Sequence, residues 1–222
     1  MKKILLIIVS LSVVYATATA QNLKKDIFGV RVGLNLSNVL MSTGDIKADN
    51  DARIGFNVGF SYQHLLSLAT PVYLETGLYF TDKGYKRKIN WENLYPTEPG
   101  LPEAPSITNA ELMYLQVPVL LNYHLITGAN TTIRPFAGLY AAYGVGGKIK
   151  HDEGYGSTSY KSFGDRGFNR FDFGAQIGVG ATLGNLYASI GFDLGLADIG
   201  VSKISSSSSK TTNWSLSVGY NF

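Results

Sequence analysis

The 222-residue chain contains no cysteine, only three histidines, few charged residues (16%), and no apolar run after its first twenty positions long enough to cross a bilayer as a helix. Without cysteine there are no disulfides, no thiolate metal sites and no cysteine-linked lipid anchor. His64, His124 and His151 are scattered along the sequence, so a metal site or a Ser-His-carboxylate set has few members to draw on. Without Lys2 and Lys3 the remaining 17 basic residues nearly match the 16 acidic ones, so the basic pI carries no nucleic-acid signal. Phosphate-loop spacing is also missing: "GVGGKI" has Ile149 where Ser or Thr is needed, and "GVGATLG" has the wrong third spacing. Neither a cofactor nor a metal ligand set is expected.

The first segment present is "MKKILLIIVSLSVVYATATA". Two lysines precede an apolar run from Ile4 to Val14, and Ala18 and Ala20 are the small residues of a cleavage site. This is the pattern of a secretory signal peptide cut before Gln21, with about eleven apolar residues against the roughly 20 of a membrane helix. Residues 21–222 are then expected to form one domain.

From Asp26 onward the dominant period is two. In "FGVRVGLNLS" Phe28, Val30, Val32, Leu34 and Leu36 share one face, and Gly29, Arg31, Gly33, Asn35 and Ser37 the other. The same alternation returns in "RIGFNVGFSYQ", "VYLETGLYFT", "YLQVPVLLNYHL", "IRPFAGLYAAYGVG", "FDFGAQIGVGATL", "LYASIGFDLGL" and the closing "NWSLSVGYNF", which makes eight strands. Pro118 and Pro135 cannot donate to a ladder, so local defects are expected beside them.

A soluble sandwich would also alternate. Glycine separates the two possibilities: with 25 residues it exceeds the usual share of about 7%. Within the strands it falls almost wholly on the polar face, at positions such as Gly29, Gly33, Gly55, Gly59, Gly77, Gly138, Gly144, Gly174, Gly178, Gly180, Gly191, Gly195 and Gly219. A solvent face rich in glycine and poor in Lys and Glu is unlike a soluble sheet. A cramped barrel interior explains it, with glycine making room for inward Tyr73, Tyr79, Tyr114, Tyr140 and Tyr187. The predicted fold is therefore all-β, an eight-stranded antiparallel up-and-down transmembrane β-barrel, apolar outside.

Connection lengths agree with a bacterial outer-membrane barrel. Long segments at 41–51, 82–110, 147–168 and 197–211 read as extracellular, and short ones at 64–71, 126–131 and 184–185 as periplasmic, with both termini periplasmic. Outward aromatics gather at the strand ends as two interfacial girdles: Phe28, Tyr62, Tyr123, Tyr220 and Phe222 on one side, and Phe80, Tyr143, Phe171, Phe173 and Trp214 on the other.

The cleavage site, "GVRVGLNLSN", "YLQVPVLLNYHL", "RPFAGLYAAYGVGGK" and the closing "VGYNF" together resemble the PorT-like outer-membrane β-barrel family of Bacteroidetes over nearly the whole mature chain. The resemblance implies an eight-stranded outer-membrane barrel. It also implies that the terminal aromatic strand, with Trp214, Tyr220 and Phe222, is similar to the signal read by the barrel-assembly machinery. The protein that names the family serves protein secretion, so an accessory role in a secretion or transport apparatus is one expectation.

Inward charges come next, because ionisable groups at membrane depth are functional candidates. Arg31, Glu75 and Arg134 fall toward the periplasmic end, and Arg53, Asp172 and Asp193 toward the extracellular end. They read as a salt-bridge network plugging the lumen, or as an ion path if water fills it. His151, beside Asp152 and Glu153, offers a conceivable Asp-His pair or a solvated loop.

The longest connection carries Lys83, Lys86, Arg87 and Lys88 near the rim, then Trp91, then prolines at 96, 99, 102 and 105. Prolines every third residue suit a polyproline II edge that a protein partner could read, or a stiff loop. With Lys148, Lys150, Lys161, Arg166 and Arg170, the basic cluster could hold anionic lipopolysaccharide groups or form a solvated rim. "SSSSSK" at 205–210 reads as a flexible tip. The expected function is that of a non-enzymatic, monomeric envelope barrel acting through its loops, with a narrow pore as a further alternative.

Overall fold

The computed structural model describes residues 23–43, 46–47, 50–89, 106–152, 156–164, 167–201 and 207–222. The signal-peptide expectation, Trp91, the four prolines and Arg166 lie outside them. Among the described residues twelve strands form one sheet: β1 (Asp26–Thr43), β2 (Ile46–Lys47), β3 (Asp51–Ser67), β4 (Thr70–Ile89), β5 (Ser106–Tyr123), β6 (Leu125–Ile126), β7 (Thr131–Gly146), β8 (Lys148–Asp152), β9 (Ser157–Lys161), β10 (Phe171–Leu183), β11 (Leu186–Gly195) and β12 (Ser207–Asn221).

Eight of these, β1, β3, β4, β5, β7, β10, β11 and β12, pair antiparallel with their neighbours, and β12 returns to β1. The ladder from Gly29 opposite Asn221 to Thr43 opposite Ser207 closes the barrel, so the wall leaves no open edge toward lipid. The closing "NWSLSVGYNF" is the far half of that seam.

Period two becomes inside and outside. Leu34, Ile54, Phe60, Leu121, Ile177 and Leu216 are exposed on the outer surface, whereas Arg31, Asn35, Glu75, Tyr140 and Asp172 are buried in the lumen. Outer aromatics meet in pairs at both ends of this belt: Phe28 on Tyr62 at 5.0 Å and Tyr220 on Phe222 at 5.4 Å, and Phe192 on Trp214 at 4.9 Å.

Glycine plays the expected spatial part. A Cβ added at Gly59 would lie 2.6 Å from the Tyr79 ring, at Gly174 2.7 Å from Tyr140, and at Gly180 2.6 Å from Tyr187. Each tyrosine therefore lies across a strand that has no side chain beneath it. Both prolines mark interruptions. The β4–β5 ladder skips from Thr76–Val119 to Tyr79–Gln116 around Pro118, and the pairing along β7 breaks between Asn122–Phe136 and Leu125–Ile133 beside Pro135.

The strands outrun the predicted loop boundaries. β4 has 20 residues, about twice the 9–11 needed to cross a bilayer. Much of the segment predicted as the 82–110 loop is thus ladder, because β4 and β5 stay paired up to Ile89–Ser106. Likewise β8 extends the wall beside β5 and β9 pairs with β8, while Ser207–Lys210 of the predicted flexible tip belong to β12. The two ends are called here the terminal end, with the chain termini and tight turns, and the loop end.

Candidate functional site: a lumen closed in layers

Four layers fill the barrel. Nearest the terminal end, Glu75 Oε2 accepts hydrogen bonds from Gln63 Nε2 at 2.6 Å and Asn122 Nδ2 at 3.0 Å. Arg134 Nη1 donates to Gln63 Oε1 at 3.2 Å, and Arg31 Nη2 to Asn221 Oδ1 at 2.6 Å. Both guanidinium groups lie against the Tyr187 ring, at 3.9 Å for Arg31 and 4.4 Å for Arg134. Such contacts suit arginine, whose planar cation stacks on aromatic faces. Below this layer Tyr73 stacks on His124 at 4.0 Å, and its hydroxyl donates to the Lys24 carbonyl.

The second layer is made of amides and hydroxyls. Asn35 Nδ2 donates to Thr81 Oγ1 at 2.8 Å, Asn57 Nδ2 to Asn35 Oδ1 at 2.8 Å, and Ser217 Oγ to Asn57 Oδ1 at 3.2 Å. These residues border a cavity of about 70 Å³, together with Glu75, Gln116, Gln176 and Asp193. That is room for a few waters.

The third layer shows the main departure from the sequence expectation. Lys83, expected at an outer rim, is 1% exposed inside the lumen. Its Nζ lies 3.2 Å from Asp193 Oδ2 and 4.4 Å from the centre of the Tyr140 ring. The cause is strand length: β4 continues past Phe80, so residue 83 shares the inward face of Tyr79 and Thr81. Beside it, Asp172 Oδ2 accepts from Thr211 Oγ1 at 2.8 Å and Tyr140 Oη at 3.2 Å.

Arg53 pairs with Asp82 at 2.7 Å and approaches Glu111 at 3.7 Å, where the β3–β4 register shifts between Ala52 and Asn57. None of the six charges expected to form the plug pairs directly with another of the six. Gln63, Asn122, Lys83 and Asp82 stand between them or supply their partners. The interior cations Arg31, Arg53, Lys83 and Arg134 match Glu75, Asp82, Asp172 and Asp193 one for one in sign.

At the loop end an apolar cap covers these layers. Phe163, Phe168 and Ile199 come from the segments after β9 and β11 and pack with Val39, Tyr85, Leu112, Tyr114 and Ile149. Phe163 meets Tyr114 edge-on at 5.2 Å, across the space left by Gly144. The alternation of the strands could not show this cap, because its key residues lie outside them.

The remaining candidates are placed as follows. Lys86, Lys88, Lys148 and Lys150 are exposed on the wall beyond the apolar belt, and Arg87 is half-buried, donating to Asn50 Oδ1 at 2.7 Å. His151 faces Thr108, with Nδ1 2.7 Å from Oγ1, while Asp152, the next residue on the strand, is exposed. A different Asp-His pair exists at the terminal rim. β1–β3 pairing sets Asp26 opposite His64, with Oδ1 2.8 Å from Nδ1, and Tyr62 Oη donates to the same oxygen at 2.7 Å. Those hydrogen bonds, first from Tyr62 and then from His64, hold the Asp26 carboxyl below its usual range. Only the strand register could have revealed this pair. Among the described residues, no three of His, Asp and Glu gather as metal ligands.

Comparison with curated proteins gives no match. Among solved structures the chain is similar to the outer membrane protein OprG from Pseudomonas aeruginosa, with 14% identity, 91% of this chain and 98% of that one covered, and a TM-score of 0.45. It is also similar to Neisserial surface protein A, with 15% identity, coverage of 88% and 97%, and a TM-score of 0.44. A third is Ail of Yersinia pestis in complex with the heparin analogue sucrose octasulfate, with 15% identity, coverage of 90% and 100%, and a TM-score of 0.41. The family model described as "Outer membrane protein beta-barrel domain" matches residues 19–201, and the chain belongs to that family of integral outer-membrane barrels.

Proposed function

We propose that the protein is a non-enzymatic, monomeric outer-membrane barrel that acts through its loop end, placed at the cell surface, with both termini in the periplasm. One observation carries this reading. The lumen is filled by polar layers and an apolar cap, while the sheet of β4, β5, β8 and β9 continues beyond the apolar belt as an exposed wall. A blocked interior and a raised outer wall suit binding or envelope structure better than transport. The histidines support the non-enzymatic part. Asp26 and His64 are joined to a phenol, and among the described residues the hydroxyl partner of His151 comes without a hydrogen-bonded carboxylate.

In this reading residues 1–20 are removed on export. Trp214, Tyr220 and Phe222 then serve as the assembly signal in the closing strand. Lipopolysaccharide surrounds the outer wall, and a protein partner reads the connection between β4 and β5. Replacing residues 90–105 with a short turn is expected to leave a heat-modifiable barrel in the outer membrane but abolish capture of surface partners from intact cells. Unchanged capture would overturn the role given to this connection.

A second reading, an accessory role in a protein secretion apparatus, is favoured by the resemblance to PorT-like barrels. The most specific blocks of that resemblance form the neighbouring strands β5 and β7. Co-purification with secretion components in mild detergent would support it.

A further inference from the structure

The wall beyond the belt has two distinct faces. Its inner row is buried at Tyr85, Ala110 and Ile149 and exposed only at Tyr160 on the edge strand β9. Cross-strand partners point to the same side of a sheet, so the next row, Lys86, Asn109, Lys150 and Ser159, faces outward. Lys148 lies on that same outer face, directly opposite Lys161. All three lysines of the β8–β9 hairpin are exposed.

Like charges placed directly opposite each other destabilise an antiparallel pair. Lys148 and Lys161 are such a pair, and Lys150 stands on the adjoining diagonal, roughly 7–8 Å away. Among the described residues none of the three has an ion-pair partner within 4.0 Å. Glu111, set opposite Lys148 on β5 by the register that pairs Ala110 with Ile149, is approached by Arg53 instead. Asp152 bounds the group on the side away from the belt. Among the described residues the hairpin thus holds three neighbouring ammonium groups without a counter-charge between them, a cost that a bound anion would offset.

Height selects the kind of anion. Lys148 comes three residues after Val145, which is exposed at the top of the apolar belt, so it stands about 7 Å above it at roughly 3.3 Å per residue along strands tilted by about 45°. Headgroups extend the bilayer from about 30 Å of hydrocarbon to about 40–45 Å in all. The lysines therefore sit at and just above the headgroup level.

We propose that Lys148, Lys150 and Lys161 form a phosphate-binding site for the phosphorylated headgroup of an outer-leaflet glycolipid. The proposal rests on the assignment of the loop end to the cell surface.

The test uses the full barrel refolded in a phosphate-free glucoside detergent, with native mass spectrometry reading the binding of bis-phosphorylated and dephosphorylated lipid A. Preference for the phosphorylated lipid by at least tenfold is expected, and loss of that preference in a Lys148→Gln/Lys150→Gln/Lys161→Gln variant whose heat-modifiable mobility is intact. Equal binding of the two lipids by the parent chain, or an unchanged preference in the folded variant, would overturn the site. Displacement of the lipid by equimolar inorganic phosphate would make this a free-phosphate site and overturn the glycolipid assignment. If the triple variant does not fold, the Lys161→Gln variant is read in the same way, since it removes the opposed pair from an exposed strand. The surface assignment has its own readout: the chain has no cysteine, so a Ser159→Cys variant reports labelling by an impermeant maleimide on intact cells. Absence of labelling in a folded barrel would contradict the surface reading without touching the in vitro binding result.

Discussion

Glu75→Ala is expected to lower the unfolding free energy of the barrel by about 3–5 kcal/mol, the usual cost of removing one partner from a buried charge cluster. Glu75 is 5% exposed and, among the described residues, is the one carboxylate of the layer that contains Arg31 and Arg134. Its removal strands two buried guanidinium groups and leaves the Gln63 and Asn122 amides without their acceptor. Urea titration of the refolded protein, read by tryptophan fluorescence, measures the change. Glu75→Gln keeps an acceptor and loses the charge, so its loss should be smaller than that of the alanine variant. A change below about 1 kcal/mol for Glu75→Ala would be that of an ordinary hydrogen bond, and would remove Glu75 from the centre of the plug.

Gly174→Val is expected to prevent formation of a heat-modifiable barrel. A Cβ at this position would meet the Leu194 carbonyl oxygen and lie 2.7 Å from the Tyr140 ring, and valine adds two more methyl groups. Overpacking alone costs about 1–3 kcal/mol. Here the displaced ring also carries the contacts with Asp172, Thr211 and Lys83. Gly146→Ala serves as control, because its Cβ would find Met113 Sδ at an ordinary 3.7 Å. Electrophoretic mobility of unheated against heated samples separates the outcomes. Normal folding of Gly174→Val would mean that the tyrosine–glycine packing is not what closes the lumen.

The architecture was legible because a membrane barrel writes it twice, as alternation along each strand and as glycine on one face only. The lumen identities of Arg31, Glu75, Arg134, Asp172 and Asp193 follow from parity alone. Lys83 and Asp82 did not, since an aspartate, a lysine and a glycine in succession resemble the start of a loop; the pairing of β4 with β5 carries the inward parity to Lys83, and Asp82, on the other parity, is buried where the β3–β4 register shifts. Strand length beyond the bilayer has no hydropathy signature, because the outer face turns from lipid-facing Leu115 to polar Asn109 without any change of period. The cap residues Phe163, Phe168 and Ile199, like the Asp26–His64 pair, depend on contacts between distant segments that no local pattern records.

The closed lumen is tested most directly by single-channel recording of the folded protein in planar bilayers. The layers of Glu75, Asn35, Asp172 and Phe163 predict a flat baseline, with no unitary conductance steps at moderate voltage. Reproducible ion-carrying steps from a homogeneous, heat-modifiable preparation would contradict a plugged barrel and restore the pore.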